Sequence, residues 1–241
     1  MQDLTLLAIG FIDFFYQKKI IKFLKKEKIN KINTFFDVGA HKGESINLFL
    51  KNFKVKKIIS FEASKINYEY LLRKEKILKN KFYNSEIYIE NIALGAKNKK
   101  VFFKQFDESS SSTIKEINKK SQYYKRKFAL LNFWGNKKIY KKFKINIQKL
   151  SDYIKNKKIK NIDFLKIDTE GYEYEILIGL GKKISCVNIL MFEHHYDNMI
   201  KKNYTFNDVN SLLLKNNFKL IYKSKMPFRK TFEYIYKKKE S

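Results

Sequence analysis

The sequence predicts an α/β fold, a mostly parallel sheet with helices on both faces, and three observations predict it. Short apolar runs alternate with segments whose apolar residues recur at helical spacing. No repeat, low-complexity block or Pro/Gly/Ser-rich linker divides the chain, so its 241 residues read as one domain with a substantial core. An apolar run closing on Asp37 and Gly39 leads directly into a helix, as at the ligand-binding turn of open α/β sheets.

In chain order, Thr34 to Val38 is the first strand, and Glu44 to Phe53 has helical spacing at Ile46, Leu48, Phe49 and Phe53. Lys57 to Phe61 is a second strand and Lys65 to Leu78 its helix. Ile87 to Ala93 is a third strand, and Lys99 to Phe106 alternates as a strand after a turn. From Asp107 to about residue 140 the pattern is irregular and includes a basic helical segment and Trp134-Gly135, which suits an insertion or lid. Ile162 to Ile167, Tyr172 to Leu180 and Val187 to Phe192 then give strand, helix and strand. Phe206 to Leu214 is helical, and Phe218 to Tyr222 with Thr231 to Tyr236 form a closing antiparallel pair around Pro227. The expected division is an amphipathic helical segment over 1–30 and a single domain over 31–241, with the insertion at 107–140.

Apolar residues make up 44% of the chain and aromatics 16%, which excludes a disordered protein. The net charge of +28 invites a nucleic-acid reading. Against it, Arg73, Arg126 and Arg229 are the sole arginines, and the lysines are spread along the chain. Abundant Lys, Asn, Ile, Phe and Tyr with scarce Ala, Gly, Pro and Arg is what A- and T-rich codons encode, so the charge is expected background. Affinity for acidic glycans or membrane surfaces is the residual functional reading. Cys186, the single cysteine, sits in an apolar run and is expected to be a small buried hydrophobe in a reducing, cytoplasmic setting. Leu4 to Tyr16 is too short to span a bilayer and lacks signal-peptide features. With Lys18, Lys19, Lys22, Lys25 and Lys26 behind it, this start reads as an amphipathic helix that packs on the domain, with peripheral membrane contact the other option.

Three segments describe a nucleoside pocket. In Asp37-Val38-Gly39-Ala40-His41-Lys42-Gly43, Gly39 permits a tight turn and close approach of a ligand, and Gly43 lets the helix start pack against the strand. Asp37 suits a cationic group, and G-x-G-x-x-G is absent, so a dinucleotide site is not expected. Glu62, 25 residues on, ends the next strand where a carboxylate can accept from both ribose hydroxyls. Asn91-Ile92-Ala93-Leu94-Gly95 supplies a wall for the base.

These segments, with Phe61-Glu62-Ala63 and Asp163-Phe164-Leu165-Lys166-Ile167-Asp168-Thr169-Glu170-Gly171-Tyr172-Glu173, strongly resemble the FkbM family of methyltransferases over about residues 33 to 195. The resemblance implies a class I, Rossmann-like methyltransferase fold: a mostly parallel seven-stranded sheet with an antiparallel C-terminal strand. It also implies S-adenosylmethionine as cofactor and a hydroxyl of a sugar, glycan or natural product as acceptor. Asp37, Gly39 and Gly43 then line the methionine end, with Ala40 and His41 of the same turn among the cofactor-binding residues. Glu62 takes the ribose, and Asn91 with Ala93 the adenine. Many other methyltransferases carry glycine where His41 stands, which leaves contact with the cofactor carboxylate or with substrate open for this side chain.

Asp168 ends an apolar strand and Gly171 permits a sharp turn, so Asp168 and Glu170 are expected to project into the cleft, Asp168 touching both cofactor and acceptor. A hydroxyl is a poor nucleophile until its proton is removed, so a carboxylate or imidazole within reach is required. Glu173 reads as a helix-start acid favoured by the macrodipole. Glu193 and His194, at the end of the next strand, complete the catalytic candidates, with His195 in reserve because strand neighbours face opposite ways. A Mg²⁺ site from Asp168, Glu193 and His194 is conceivable but not expected, and no metal is assigned. Ser109 to Ser112 and Thr113 read equally as a clamp on the ligand or a solvated loop. Asp168-Thr169-Glu170-Gly171 stands where base-amine methyltransferases carry Asn/Asp-Pro-Pro-aromatic, so exocyclic base methylation is excluded and nucleic acid is not the expected partner. RNA ribose methylation, or a non-catalytic membrane-surface module that keeps the fold, remain the alternatives.

Overall fold

The computed structural model describes residues 16–106, 112–126, 140–227 and 229–240. Its frame is a seven-stranded sheet in the order β11-β12-β9-β8-β1-β2-β3. These strands are β1 (Lys31–Val38), β2 (Lys54–Phe61), β3 (Glu86–Glu90), β8 (Ile162–Ile167), β9 (Val187–His195), β11 (Phe218–Lys225) and β12 (Thr231–Lys238). β1 is parallel to both β2 and β8, β2 to β3, and β8 to β9, whereas β12 runs antiparallel to both β9 and β11. The chain leaves β1 toward β3 on one side and returns through β8 on the other. That reversal opens a crevice beyond the carboxyl ends of β1 and β8.

The sheet is covered on both faces, which is why its central strands read as nearly unbroken apolar runs. On one face lie the helical residues 16–26 (α1), α2 (Glu44–Asn52) and α3 (Lys65–Lys81). Their Leu24, Phe49 and Leu71 meet Phe35, Ile58 and Phe164. Phe35 stacks on Phe49 at 4.4 Å and meets Phe164 edge-on at 5.6 Å, each such buried ring contributing about 2–3 kcal/mol. The other face carries α5 (Leu150–Asn156), α6 (Glu173–Leu180) and α7 (Phe206–Lys215), packed through Tyr153, Leu177 and Leu213 onto Phe36, Leu165 and Leu190.

Tyr16, Ile20, Ile21 and Leu24 are buried while Lys18, Lys19, Lys22, Lys25 and Lys26 stay exposed, so the described part of the N-terminal helix packs on the domain. The run from Leu4 lies outside the described residues except for Tyr16. Among the described residues, no helix is long and apolar enough to cross a membrane.

Several boundaries differ from those expected. The third strand stops at Glu90, and β4 (Ala93–Leu94) instead pairs with β7 (Tyr140–Gln148), which β5 (Lys99–Phe106) also joins. Neither β7 nor α5 was anticipated. Of the expected insertion, 107–111 and 127–139 lie outside the described residues. Residues 112–126 contain β6 (Glu116–Ile117), paired with β10 (Ile200–Lys201), and a helical turn over 122–126 (α4). β9 continues three residues beyond Phe192, because β12 pairs with it as far as His195. Cys186 is half-buried at the end of a 3₁₀ turn rather than fully enclosed.

Candidate functional site

A cleft opens beyond the carboxyl ends of β1, β2 and β8. Its floor and one wall are the turn after β1, at Gly39 and His41. Glu62 and Ala63 follow β2, and Ile92 to Leu94 with Phe103 form an apolar side. Asp168, Thr169, Glu170 and Tyr172 close the other end, and Ser112 with Ile114 reach over from the segment after β5.

The turn after β1 is fixed by sterics. Gly39 has φ +83°, and a Cβ on it would lie 1.8 Å from the Asp168 backbone oxygen. Only glycine permits this contact between the β1 and β8 loops. Gly43 also sits at φ +83°, but the atom a Cβ would strike is Leu71 of α3 at 2.9 Å, so this glycine seats α2 against α3 rather than against the strand. His41, between them, holds φ +49°. That left-handed conformation costs an L residue about 1–2 kcal/mol and suits glycine better.

Glu62 is buried, and both its oxygens are aimed by backbone donors. Oε2 accepts from the His41 N–H at 2.7 Å and Oε1 from the Ser64 N–H at 2.8 Å. Burial pushes its carboxyl up to about 7 despite those donors. The Asn67 side chain is a further donor to this carboxylate.

The loop Asp168 to Tyr172 is clamped from below. Glu173 Oε1 accepts from the Thr169 N–H, the Thr169 hydroxyl and the Gly171 N–H at 3.0–3.2 Å, and its Oε2 accepts from Tyr204 at 2.6 Å. Thr113 Oγ1 donates to the Glu170 carbonyl at 2.8 Å. Glu170 holds φ +52°, so the cleft carries a second non-glycine residue in a left-handed conformation. Such strain persists where the surroundings over-determine it, here Glu173 below and Thr113 above.

Behind this wall a row of ionisable groups crosses the sheet. Asp37 is fully buried, in register with Ser60 and Lys166. Burial raises its carboxyl to about 6, against the pull of the Lys166 ammonium 3.9 Å away. Lys166 donates to Asp168 Oδ2 at 2.9 Å. Burial opposes its charge, but Asp168 and Asp37 outweigh that and hold it firmly protonated. Glu193 is pushed well up by burial and by the neighbouring Asp168 and Glu233 carboxylates.

The two adjacent histidines part company. His194 turns to the opposite face of β9 from Glu193, among Tyr196, Tyr204 and Phe206. Burial, Lys202 and His195 depress it to about 3, so it is a neutral packing ring. His195 shares the face of Glu193. Its Nε2 lies 3.4 Å from Glu170 and 3.6 Å from Glu193, and its Nδ1 lies 3.0 Å from the Thr231 hydroxyl and 3.8 Å from Asp197. Burial works against its proton, but Glu170, Asp197 and Glu193 override it and raise the imidazole to about 10.

Of the residues singled out from sequence, Gly39, His41, Glu62, Ala93, Asp168 and Glu170 line the cleft. Asp37 and Ala40 lie buried beneath it in the face covered by α1 to α3, and Gly43 lies under α3. Asn91 faces a neighbouring recess and donates to the Glu62 carbonyl at 2.8 Å, bracing the turn from outside. Glu193 stands behind Glu170 through His195, and His194 is not in the group at all. Ser109 to Ser111 lie outside the described residues. Ser112 lines the cleft while accepting from Gln105 and from the Phe106 N–H. Lys166 was noted without a role; its signal is a lysine inside an apolar strand, where an unpaired ammonium is not tolerated. Among the described residues no group of His, Cys, Asp and Glu is arranged to hold a metal ion.

Comparison with known proteins places this architecture. The family profile Methyltransferase FkbM domain matches residues 37–220. Among solved structures, methyltransferase FkbM from Methylobacillus flagellatus KT superposes with a TM-score of 0.55 at 17% identity, over 85% of this chain and 43% of that one. M. capricolum TrmK in complex with S-adenosyl-homocysteine gives 0.52 at 13% identity, over 94% and 69%. Magnesium protoporphyrin IX methyltransferase (ChlM) from Synechocystis PCC 6803 with bound SAM gives 0.52 at 8%, over 97% and 82%. At these identities the likeness establishes the class I methyltransferase fold. The chain spans less than half the length of the Methylobacillus protein. No curated protein matches it.

Proposed function

The chain belongs to the FkbM methyltransferase family, and from that premise we propose that it uses S-adenosylmethionine to methylate a hydroxyl group of a glycan or small molecule. The observation that carries this reading is the sign of the cleft. In a chain with 52 lysines and arginines, the described lining includes Glu62, Asp168 and Glu170 and not one lysine or arginine. Such a wall suits a ligand bearing sulfonium and ammonium charge. The donor set fits the rest of the cofactor: Glu62 would hold the ribose hydroxyls, and Ala63, Ile92, Ala93 and Phe103 offer the base an apolar slot. When bound, the cofactor supplies an electrophilic methyl group on sulfur.

The residues of the chain then do three things. Gly39 and the loop it touches set the depth of the cleft, so that donor and acceptor approach in line. Ile114 and Tyr172 exclude water from the reacting atoms. Asp168 and Glu170 accept hydrogen bonds from the incoming hydroxyl and orient its lone pair. RNA ribose methylation, which the +28 charge invites, is disfavoured by carboxylates at the acceptor end, since a phosphate-bearing strand would be repelled there.

Incubation with methyl-labelled S-adenosylmethionine and fractionated cell extract tests the reading. Label in alkali-stable, ribonuclease-resistant material is the expected result. Alkali-labile label would instead mean methyl esters and overturn the hydroxyl assignment; ribonuclease-sensitive label would mean RNA and overturn the glycan or small-molecule acceptor.

A further inference from the structure

Three observations converge on a histidine that the reading above does not use. His195 is wedged between a carboxylate on the cleft wall and one behind it, 3.4 Å from Glu170 and 3.6 Å from Glu193. Its other ring nitrogen is tied to the Thr231 hydroxyl of β12 at 3.0 Å, with Asp197 at 3.8 Å, so the ring is hydrogen-bonded through Nδ1 while Nε2 meets the two carboxylates by charge. The Lys202 ammonium donates to the His195 carbonyl, which pins its backbone as well. The group it faces, Glu170, lies on a left-handed turn whose carbonyl Thr113 holds. Backbone and carboxylate of Glu170 are therefore both restrained, by two different elements.

We propose that His195 is the positioning residue of the acceptor site: it holds the Glu170 carboxylate at the cleft wall, and Glu170 takes the proton of the acceptor hydroxyl. This rests on the hydroxyl-methylation reading above and assigns the proton within it. The acceptor oxygen uses a lone pair to form the new O–C bond, the C–S pair departs onto sulfur, and the O–H proton moves to a Glu170 oxygen. The products are a methyl ether, a neutral thioether and a protonated carboxyl. Asp168 is the less suited receiver because Lys166 already donates to it at 2.9 Å and both lie against buried Asp37.

An imidazole in this setting titrates with its neighbours. The groups that face it are Glu170 and Glu173 from the loop and start of α6, Glu193 on its own strand, and Asp197 beyond that strand, with the Lys202 ammonium at its carbonyl. The full chain contains three histidines, His41, His194 and His195, so imidazole NMR across pH resolves each ring, with His41→Gln and His195→Asn fixing the assignments. The expected result is a His195 that keeps its proton through neutral pH and whose midpoint falls by about one pH unit or more in Glu170→Gln. A midpoint near the ordinary imidazole value, or one that moves in Glu193→Gln and not in Glu170→Gln, would overturn the proposal. These variants retain His195, so they test the pairing even if His195→Asn fails to fold. Calorimetry with S-adenosylmethionine on the same samples separates the two ideas. Absence of binding with an intact His195–Glu170 response sinks the methyltransferase reading and with it the acceptor-site role, leaving only the pairing; binding without that response sinks only the positioning role.

Discussion

Glu62 illustrates how one side chain acquires a role from its surroundings. Two backbone N–H groups aim it into the cleft, and burial lifts its carboxyl to about 7. A ribose donates its hydroxyl protons, so the ionised form is the better acceptor. The sign follows: below about 7 the carboxyl must first lose a proton, and cofactor affinity weakens by up to about tenfold per pH unit. Dissociation constants between pH 6 and 8 should show this dependence in the wild type and lose it in Glu62→Gln. Gly39 acquires its role from sterics alone. With the Asp168 oxygen 1.8 Å from where a Cβ would stand, Gly39→Ala should cost on the order of 3 kcal/mol or more by urea unfolding. A variant of unchanged stability would mean the two loops are not in contact.

At the scale of elements, the loop between β8 and α6 depends on Glu173. The helix-start reading of that residue captured its position but not its four hydrogen bonds. Glu173→Ala leaves the Thr169, Gly171 and Tyr204 donors without a buried acceptor and should cost about 3 kcal/mol, read from the urea midpoint. A loss below about 0.5 kcal/mol would show that water replaces the carboxylate there.

The elements also show what could be read in advance. β1, β2 and β8 were legible because covered parallel strands are apolar on both faces and each has an acid at its carboxyl end: Asp37 next to last in β1, Glu62 just after β2 and Asp168 just after β8. β7 was not, because Lys142, Lys144 and Asn146 alternate with Phe143, Ile145 and Ile147 but Lys141 breaks that period at its start, and of the apolar three only Ile147 is fully buried. α5 hid its Leu150, Tyr153 and Ile154 spacing in seven residues. The parity of β9 was unreadable, since Ile189, Leu190, Met191 and Phe192 are apolar on both sides. Alternation puts Glu193 and His195 on one face and His194 on the other, but only the fold shows that the face of Glu193 and His195 is the one that meets Glu170. Sequence places Asp37 at the motif, but strand alternation turns it under the sheet toward Lys166.

Across the whole molecule, charge and function occupy different places. The +28 is a property of a lysine-rich exterior, including the exposed lysines of α1, whereas the described cleft wall carries carboxylates and no lysine. Composition alone reports the exterior, which is why it pointed toward nucleic acid while the ordered motifs pointed elsewhere. The measurement that bears most directly on this account is isothermal calorimetry of S-adenosylmethionine against the wild-type chain and Glu62→Ala at pH 8. Saturable one-site binding, weakened at least about tenfold by the substitution, is the predicted result. No binding to the wild type, or equal affinity in both proteins, would contradict it.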